Sequence, residues 1–173
     1  MCLGLFTAAL ATLKPGDAAP DFTVEAAQGG RDFTFSPAEA LKSGPVVLYF
    51  YPKSFTAVCT AEAHEFAENI GNFKAAGASV IGISAGKIQV QSEFSAKECR
   101  DKFRAGAGPT LSVIKAYGAA FTMPGAAYSE RISCMISPEG KIIYVYADPD
   151  GKKHIGNALA AVRAWSKARK SQR

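Results

Sequence analysis

The chain is poor in the residues that build metal and disulfide frameworks. It holds four cysteines, at positions 2, 59, 99 and 134, and two histidines, His64 and His154. No Cys-x-x-Cys pair occurs, so neither a zinc site nor a dense disulfide scaffold is indicated, and the reducing cytoplasm is the natural setting. The chain also lacks an apolar run long enough to cross a bilayer. Its opening stretch, Cys2–Ala11, has the length of a signal h-region, but no basic segment precedes it and it is too short to span. Residues 1–12 are therefore expected to form an apolar extension that packs on the domain or on a second subunit, with a cleaved N-terminal signal as the alternative. Clustered positive charge is scarce as well. The net charge is +5, yet the 20 Lys and Arg are spread among 15 Asp and Glu, which argues against nucleic acid as a partner. The one basic cluster, residues 163–173, reads as the solvated end of a last helix with cations at its favourable terminus.

What is present is one domain's worth of core. The 173 residues are 48% hydrophobic, with no internal repeat and no linker. The run Val46-Val47-Leu48-Tyr49-Phe50 stops at Tyr51-Pro52 and reads as a buried strand. A helix should begin near Thr56 or Ala57, because Ala63, Phe66, Ala67, Ile70 and Phe73 recur at helical spacing. Cys59 then falls in the first turn, where free backbone N–H groups and the positive end of the helix dipole favour a thiolate. Thr56, three residues earlier, lies close enough for its hydroxyl to reach the sulfur or a bound substrate oxygen. Cys59 as a small buried hydrophobe is the plainer reading. The coincidence of strand, proline, hydroxyl and helix start favours the reactive one.

Further along, the pattern predicts an extended stretch near Phe22–Val24 and a strand at Ser79–Ser84. It then predicts a helix over 87–103, a short helix at Leu111–Tyr117 ended by Gly118, strands at Ile132–Ile136 and Ile142–Tyr146, and a closing helix over 155–169. Residues 104–109 carry two glycines and a proline, a poor strand, so a loop is expected there. Alternation of this kind gives a three-layer α/β domain with a mixed sheet over residues 13–173. Strand parity sets Arg131, Ser133 and Met135 on one face and Ile132, Cys134 and Ile136 on the other, so Cys134 reads as core.

Pro52, Thr56 and Cys59 match the Pro-x-x-x-Thr-x-x-Cys pattern of peroxiredoxins, within a Phe-Tyr-Pro-Lys…Cys-Thr-x-Glu context. Two further blocks agree in order: Lys14-Pro15-Gly16-Asp17…Ala19-Pro20-Asp21-Phe22, and Arg131-Ile132-Ser133…Ser137-Pro138-Glu139-Gly140-Lys141-Ile142. The chain thus resembles that family (the AhpC/TSA family) from about Leu13 to about Trp165, and most of all its peroxiredoxin Q, or bacterioferritin comigratory protein, branch. The resemblance implies a thioredoxin-like fold and a thiol peroxidase that reduces hydrogen peroxide and organic hydroperoxides without metal, haem, flavin or other cofactor. It implies Cys59 as the nucleophile that becomes a sulfenic acid, Thr56 as a donor to the peroxide, and Pro52 as a shield of the pocket. Arg131 would be the cation near sulfur and peroxide, and Glu62 the partner that fixes it.

The chain departs from the branch at His64, which stands where many relatives carry a resolving cysteine five residues after the nucleophile. Cys99 is one turn beyond Ser95, the place aligned with another resolving position, and on a continuous helix both would share a face. Cys99 is therefore the candidate resolving cysteine; an inert helix cysteine, or a one-cysteine mechanism with an external thiol reductant (thioredoxin, glutaredoxin or glutathione), stays open beside it. The expected partners are a peroxide and that thiol, with no nucleic acid and no membrane, in a monomer or homodimer. Two rival functions remain at this point. A thioredoxin-like thiol-disulfide oxidoreductase would need a dithiol where Thr56 stands, and a non-enzymatic holdase would not need Cys59 at all.

Overall fold

A pair of glycines with positive φ, Gly29 at 59° and Gly30 at 77°, turns the chain between β1 (Val24–Gln28) and β2 (Arg31–Phe35), a two-residue turn whose twist suits antiparallel strands. The computed structural model describes residues 13–172; the expected extension at 1–12, with Cys2, lies outside them. After β2 come α1 (Pro37–Leu41), β3 (Val46–Phe50), α2 (Ala57–Ala75), β4 (Ser79–Ser84) and α3 (Ile88–Lys97). Then follow β5 (Arg104–Ala107), α4 (Ser112–Ala116), β6 (Ala120–Met123), β7 (Ala126–Ser129), β8 (Ile132–Ile136), β9 (Ile142–Ala147), a single 3₁₀ turn at Gly151–Lys153, and α5 (His154–Lys170).

Seven strands make one mixed sheet in the order β2-β1-β5-β4-β3-β8-β9, and β6 and β7 form a separate ribbon. β3, β4 and β5 run parallel, while β8 pairs antiparallel with β3. All five residues of β3 are buried, as expected for a strand covered on both faces. One face packs Val47, Tyr49 and Met135 with Phe66 and Phe73 of α2 and Ala158 and Val162 of α5. The other packs Leu48, Phe50 and Cys134 with Leu41 of α1 and Ile114 of α4. Tyr49 stacks on Phe66 at 4.3 Å between ring centroids, a pair worth about 0.5–1.5 kcal/mol beyond its buried area.

Three expectations are corrected. Residues 104–107 are not loop but strand β5, near the middle of the sheet and hydrogen-bonded between β4 and β1. Glycine is required there, since a Cβ on Gly106 would stand 2.9 Å from Cγ1 of Ile83; the strand is held by its neighbours rather than by its own propensity. The helix expected to reach residue 103 ends at Lys97, and Arg100 and Asp101 turn the chain with positive φ of 52° and 56°. Cys99 thus sits in a turn beyond α3, so the shared helix face with Ser95 does not exist. The β6–β7 ribbon adds two strands to those the sequence pattern predicts. No described helix is long and apolar enough to cross a membrane.

Candidate active site

The register of β8 on β3 brings the distant motifs together. Phe50 lies opposite Ile132, so Arg131, just before β8, stands beside the point where the chain leaves β3 for α2. That point lies outside the carboxyl ends of the parallel strands β3 and β4, the usual place for a site in such a sheet. The connecting loop is pinned by a buried polar cluster. Tyr51 Oη donates to Gln91 Oε1 at 2.6 Å, Ser54 Oγ donates to the same oxygen at 3.2 Å, and Gln91 Nε2 donates to Ser84 Oγ at 3.0 Å. Phe55 takes a φ of 65° and sets its ring edge-on to Phe94, 5.2 Å away.

Thr56 is the N-cap of α2, with extended backbone, and its hydroxyl donates to the Lys53 carbonyl at 2.8 Å. Its proton therefore closes the loop rather than bonding the sulfur. Cys59 is the third residue of α2, 2% exposed, with a free thiol. Its Sγ lies 3.3 Å from Nη2 of Arg131. The other two guanidinium nitrogens are also occupied: Nη1 donates to Glu62 Oε2, and Nε donates to the Pro149 carbonyl at 3.0 Å. Burial pushes the Glu62 carboxyl up and the Arg131 charge draws it back toward the ionised form. Its second oxygen, Oε1, has no hydrogen-bond partner among the described residues.

A cleft of about 470 Å³ opens onto Arg131 and Pro52, walled by Phe121 and Tyr128 of the β6–β7 ribbon and by Pro149. Of the residues singled out from sequence, Cys59, Arg131 and Glu62 are in contact, Pro52 lines the cleft, and Thr56 caps the helix bearing the thiol. Cys134 is buried in the opposite core, and desolvation pushes its thiol up to about 12. Cys99 is fully enclosed, and burial, with the Glu98 charge beside it, pushes its thiol well above the ordinary range. His64 is 2.6 Å from Glu98, tying α2 to the turn that holds Cys99. Sequence reasoning missed the Gln91 cluster, the Pro149 carbonyl, the ribbon and the contacts of His154; none of these leaves a local spacing that could have marked it.

A buried thiol in the first turn of α2, faced by a guanidinium just before β8, is an arrangement suited to thiol chemistry. A sequence model of the AhpC/TSA family matches residues 15–145. The Oryza sativa subsp. japonica protein named peroxiredoxin Q, chloroplastic, is 34% identical over 157 residues, which cover 88% of this chain and 68% of the relative. Peroxiredoxin Bcp of Escherichia coli strain K12 is 32% identical over 146 residues, 82% of this chain and 90% of that one. Among solved structures, peroxidoxin BcpB from Mycobacterium tuberculosis superposes with a TM-score of 0.79 at 28% identity, covering 88% of this chain and 97% of that chain. The chain belongs to the AhpC/TSA family: it is a peroxiredoxin, a thiol-dependent peroxidase on a thioredoxin-like fold.

Proposed function

We propose that Cys59 is the peroxidatic thiolate, that Arg131 holds sulfur and peroxide together, and that the substrates are hydrogen peroxide and organic hydroperoxides. The observation that carries this reading is the 3.3 Å contact between Arg131 Nη2 and Cys59 Sγ, with both other guanidinium nitrogens already tied. In the reaction the thiolate attacks one peroxide oxygen in line. The S–O bond forms as the O–O bond breaks, and the leaving oxygen departs with the electron pair and takes up a proton as water or alcohol. Sulfur is oxidised by two electrons and becomes the sulfenic acid. Arg131 lies where negative charge passes from sulfur to oxygen, so its fixed cation stabilises the transition state more than the separated reactants. Thr56 Oγ can also donate to the peroxide, exchanging its bond to Lys53. The cleft at Pro52, Phe121 and Tyr128 leaves room for an organic substituent.

Resolution we assign to an external thiol, of the thioredoxin, glutaredoxin or glutathione kind. Its thiolate attacks the Cys59 sulfenic sulfur, releasing water and leaving a mixed disulfide, and a second thiol reduces that bond. Burial of Cys99 and its raised pKa support this reading. Cys99 as resolver would have to ionise and react from a fully buried place in the turn that follows α3. Three free thiols among the described residues fit a reducing compartment such as the cytoplasm. Peptide mass spectrometry after one equivalent of hydrogen peroxide tests the assignment: the Cys59 peptide should gain one oxygen atom, and the Cys134 peptide none. A Cys59–Cys99 crosslink as the main product would return resolution to Cys99.

A further inference from the structure

His154 opens α5 and is fully enclosed, although no step above uses it. Its Nε2 is 2.9 Å from the Asp148 carbonyl oxygen, and its Nδ1 is 2.7 Å from Ser133 Oγ. A carbonyl oxygen only accepts, so Nε2 carries the ring proton, and Nδ1 accepts from the Ser133 hydroxyl. Burial holds the ring below the ordinary imidazole pKa, and the charge of Arg131 adds to the effect, which favours the neutral ring with the proton pattern that the two contacts require. The Tyr146 ring meets it edge-on at 4.8 Å.

The two carbonyls that follow β9 have separate duties. Asp148 presents its carbonyl to His154, and Pro149 presents the next one to Nε of Arg131. The Asp148 N–H donates back to the Arg131 carbonyl at 3.3 Å, and Pro149 has no N–H to offer. Arg131 is therefore fastened to this segment through backbone and side chain alike. The segment is fastened through His154 to Ser133, two residues from Arg131 along β8.

We propose that His154 is a positioning residue for Arg131: by holding the Asp148 carbonyl it sets the Pro149 carbonyl, which orients the guanidinium so that Nη2 points at Cys59. This rests on the reading of Arg131 as the cation of the peroxide site. The arrangement removes freedom from a long side chain before substrate arrives, and misplacement of a reacting group by even an ångström is costly in rate.

A double-mutant cycle tests it, read by stopped-flow oxidation of Cys59 with hydrogen peroxide across pH. His154→Phe keeps the ring against Tyr146 but loses both hydrogen bonds, and His154→Asn is too short to reach the Asp148 carbonyl. Each should slow the oxidation on the order of tenfold and move the midpoint of its pH profile upward. His154→Gln can still present an N–H to that carbonyl and should recover most of the rate. In an Arg131→Met background all three substitutions should change the rate by less than about twofold, because groups that act through one another are not additive. With two breaking variants, the outcome does not hang on either one of them folding. Equal slowing in both backgrounds, or no slowing by either breaking variant, would overturn the proposal. An Arg131→Met protein as fast as the parent would place the failure in the role of Arg131 itself.

Discussion

Arg131 gives each of its side-chain nitrogens one duty: Nε to a backbone carbonyl, Nη1 to a carboxylate, Nη2 to sulfur. A lysine ammonium carries three donors on a single nitrogen and could not span these three separate partners. Arg131→Met should slow oxidation of Cys59 by at least about tenfold, since a charge-assisted contact is worth about 1.5–3 kcal/mol and each 1.4 is a decade. Arg131→Lys should recover little of that loss in the same stopped-flow assay. His154 brings a pH signature of its own. Its folded-state pKa lies below the unfolded value of 6.5, through burial first, with Arg131 lowering it further and the Asp148 carbonyl, Asp148 and Asp150 opposing. The unfolded chain then binds the proton more readily. The resulting stability is complete above about pH 6.5 and is lost as pH falls through the folded-state value. Thermal melting from pH 7.5 to 5 should show this decline in the parent and a shallower one in His154→Gln.

At the scale of elements, the loop between β3 and α2 is held by the side chain of Gln91 on α3. Three hydroxyls, from Tyr51, Ser54 and Ser84, converge on that one amide. Gln91→Leu would keep the volume but remove the amide partner of all three. Tyr51 and Ser54 would keep only their 3.3 Å contact with each other, a loss of about 1–3 kcal/mol for each group left unsatisfied. A lowered melting temperature, with faster amide exchange at residues 53–56, should follow; unchanged exchange would show the loop to be held by packing alone. The elements differ in how plainly the sequence announces them. Val46–Phe50 and the spacing from Ala63 to Phe73 can be read directly, because burial on both faces and on one helical face leaves continuous or periodic apolar runs. β5 cannot, since Arg104-Ala105-Gly106-Ala107 is a strand only in the company of β4 and β1 and must stay small beneath Ile83. The end of α3 is equally silent: Arg100 and Asp101 adopt the left-handed conformation that glycine usually announces.

At the scale of the molecule, one sheet divides two cores, and its topology decides which cysteine meets the arginine. β8 runs antiparallel to β3, so its first residues stand at the end where α2 begins. Parity then sends Cys134 into the far core and leaves Ser133 facing His154. The motif residues Pro52, Thr56, Cys59, Glu62 and Arg131 are legible in the sequence because the family resemblance names them. The parts that orient them are not. The Pro149 carbonyl belongs to the backbone, and His154 is linked to Arg131 only through a turn and a strand pairing. Everything at this site depends on Cys59 alone reducing peroxide. Single-turnover stopped-flow consumption of hydrogen peroxide by the parent, Cys59→Ser, Cys99→Ser and Cys134→Ser proteins tests this most directly. The Cys59 variant should consume none, and the other two should keep the parent's rate. Undiminished consumption by Cys59→Ser, or its loss in Cys134→Ser, would contradict it.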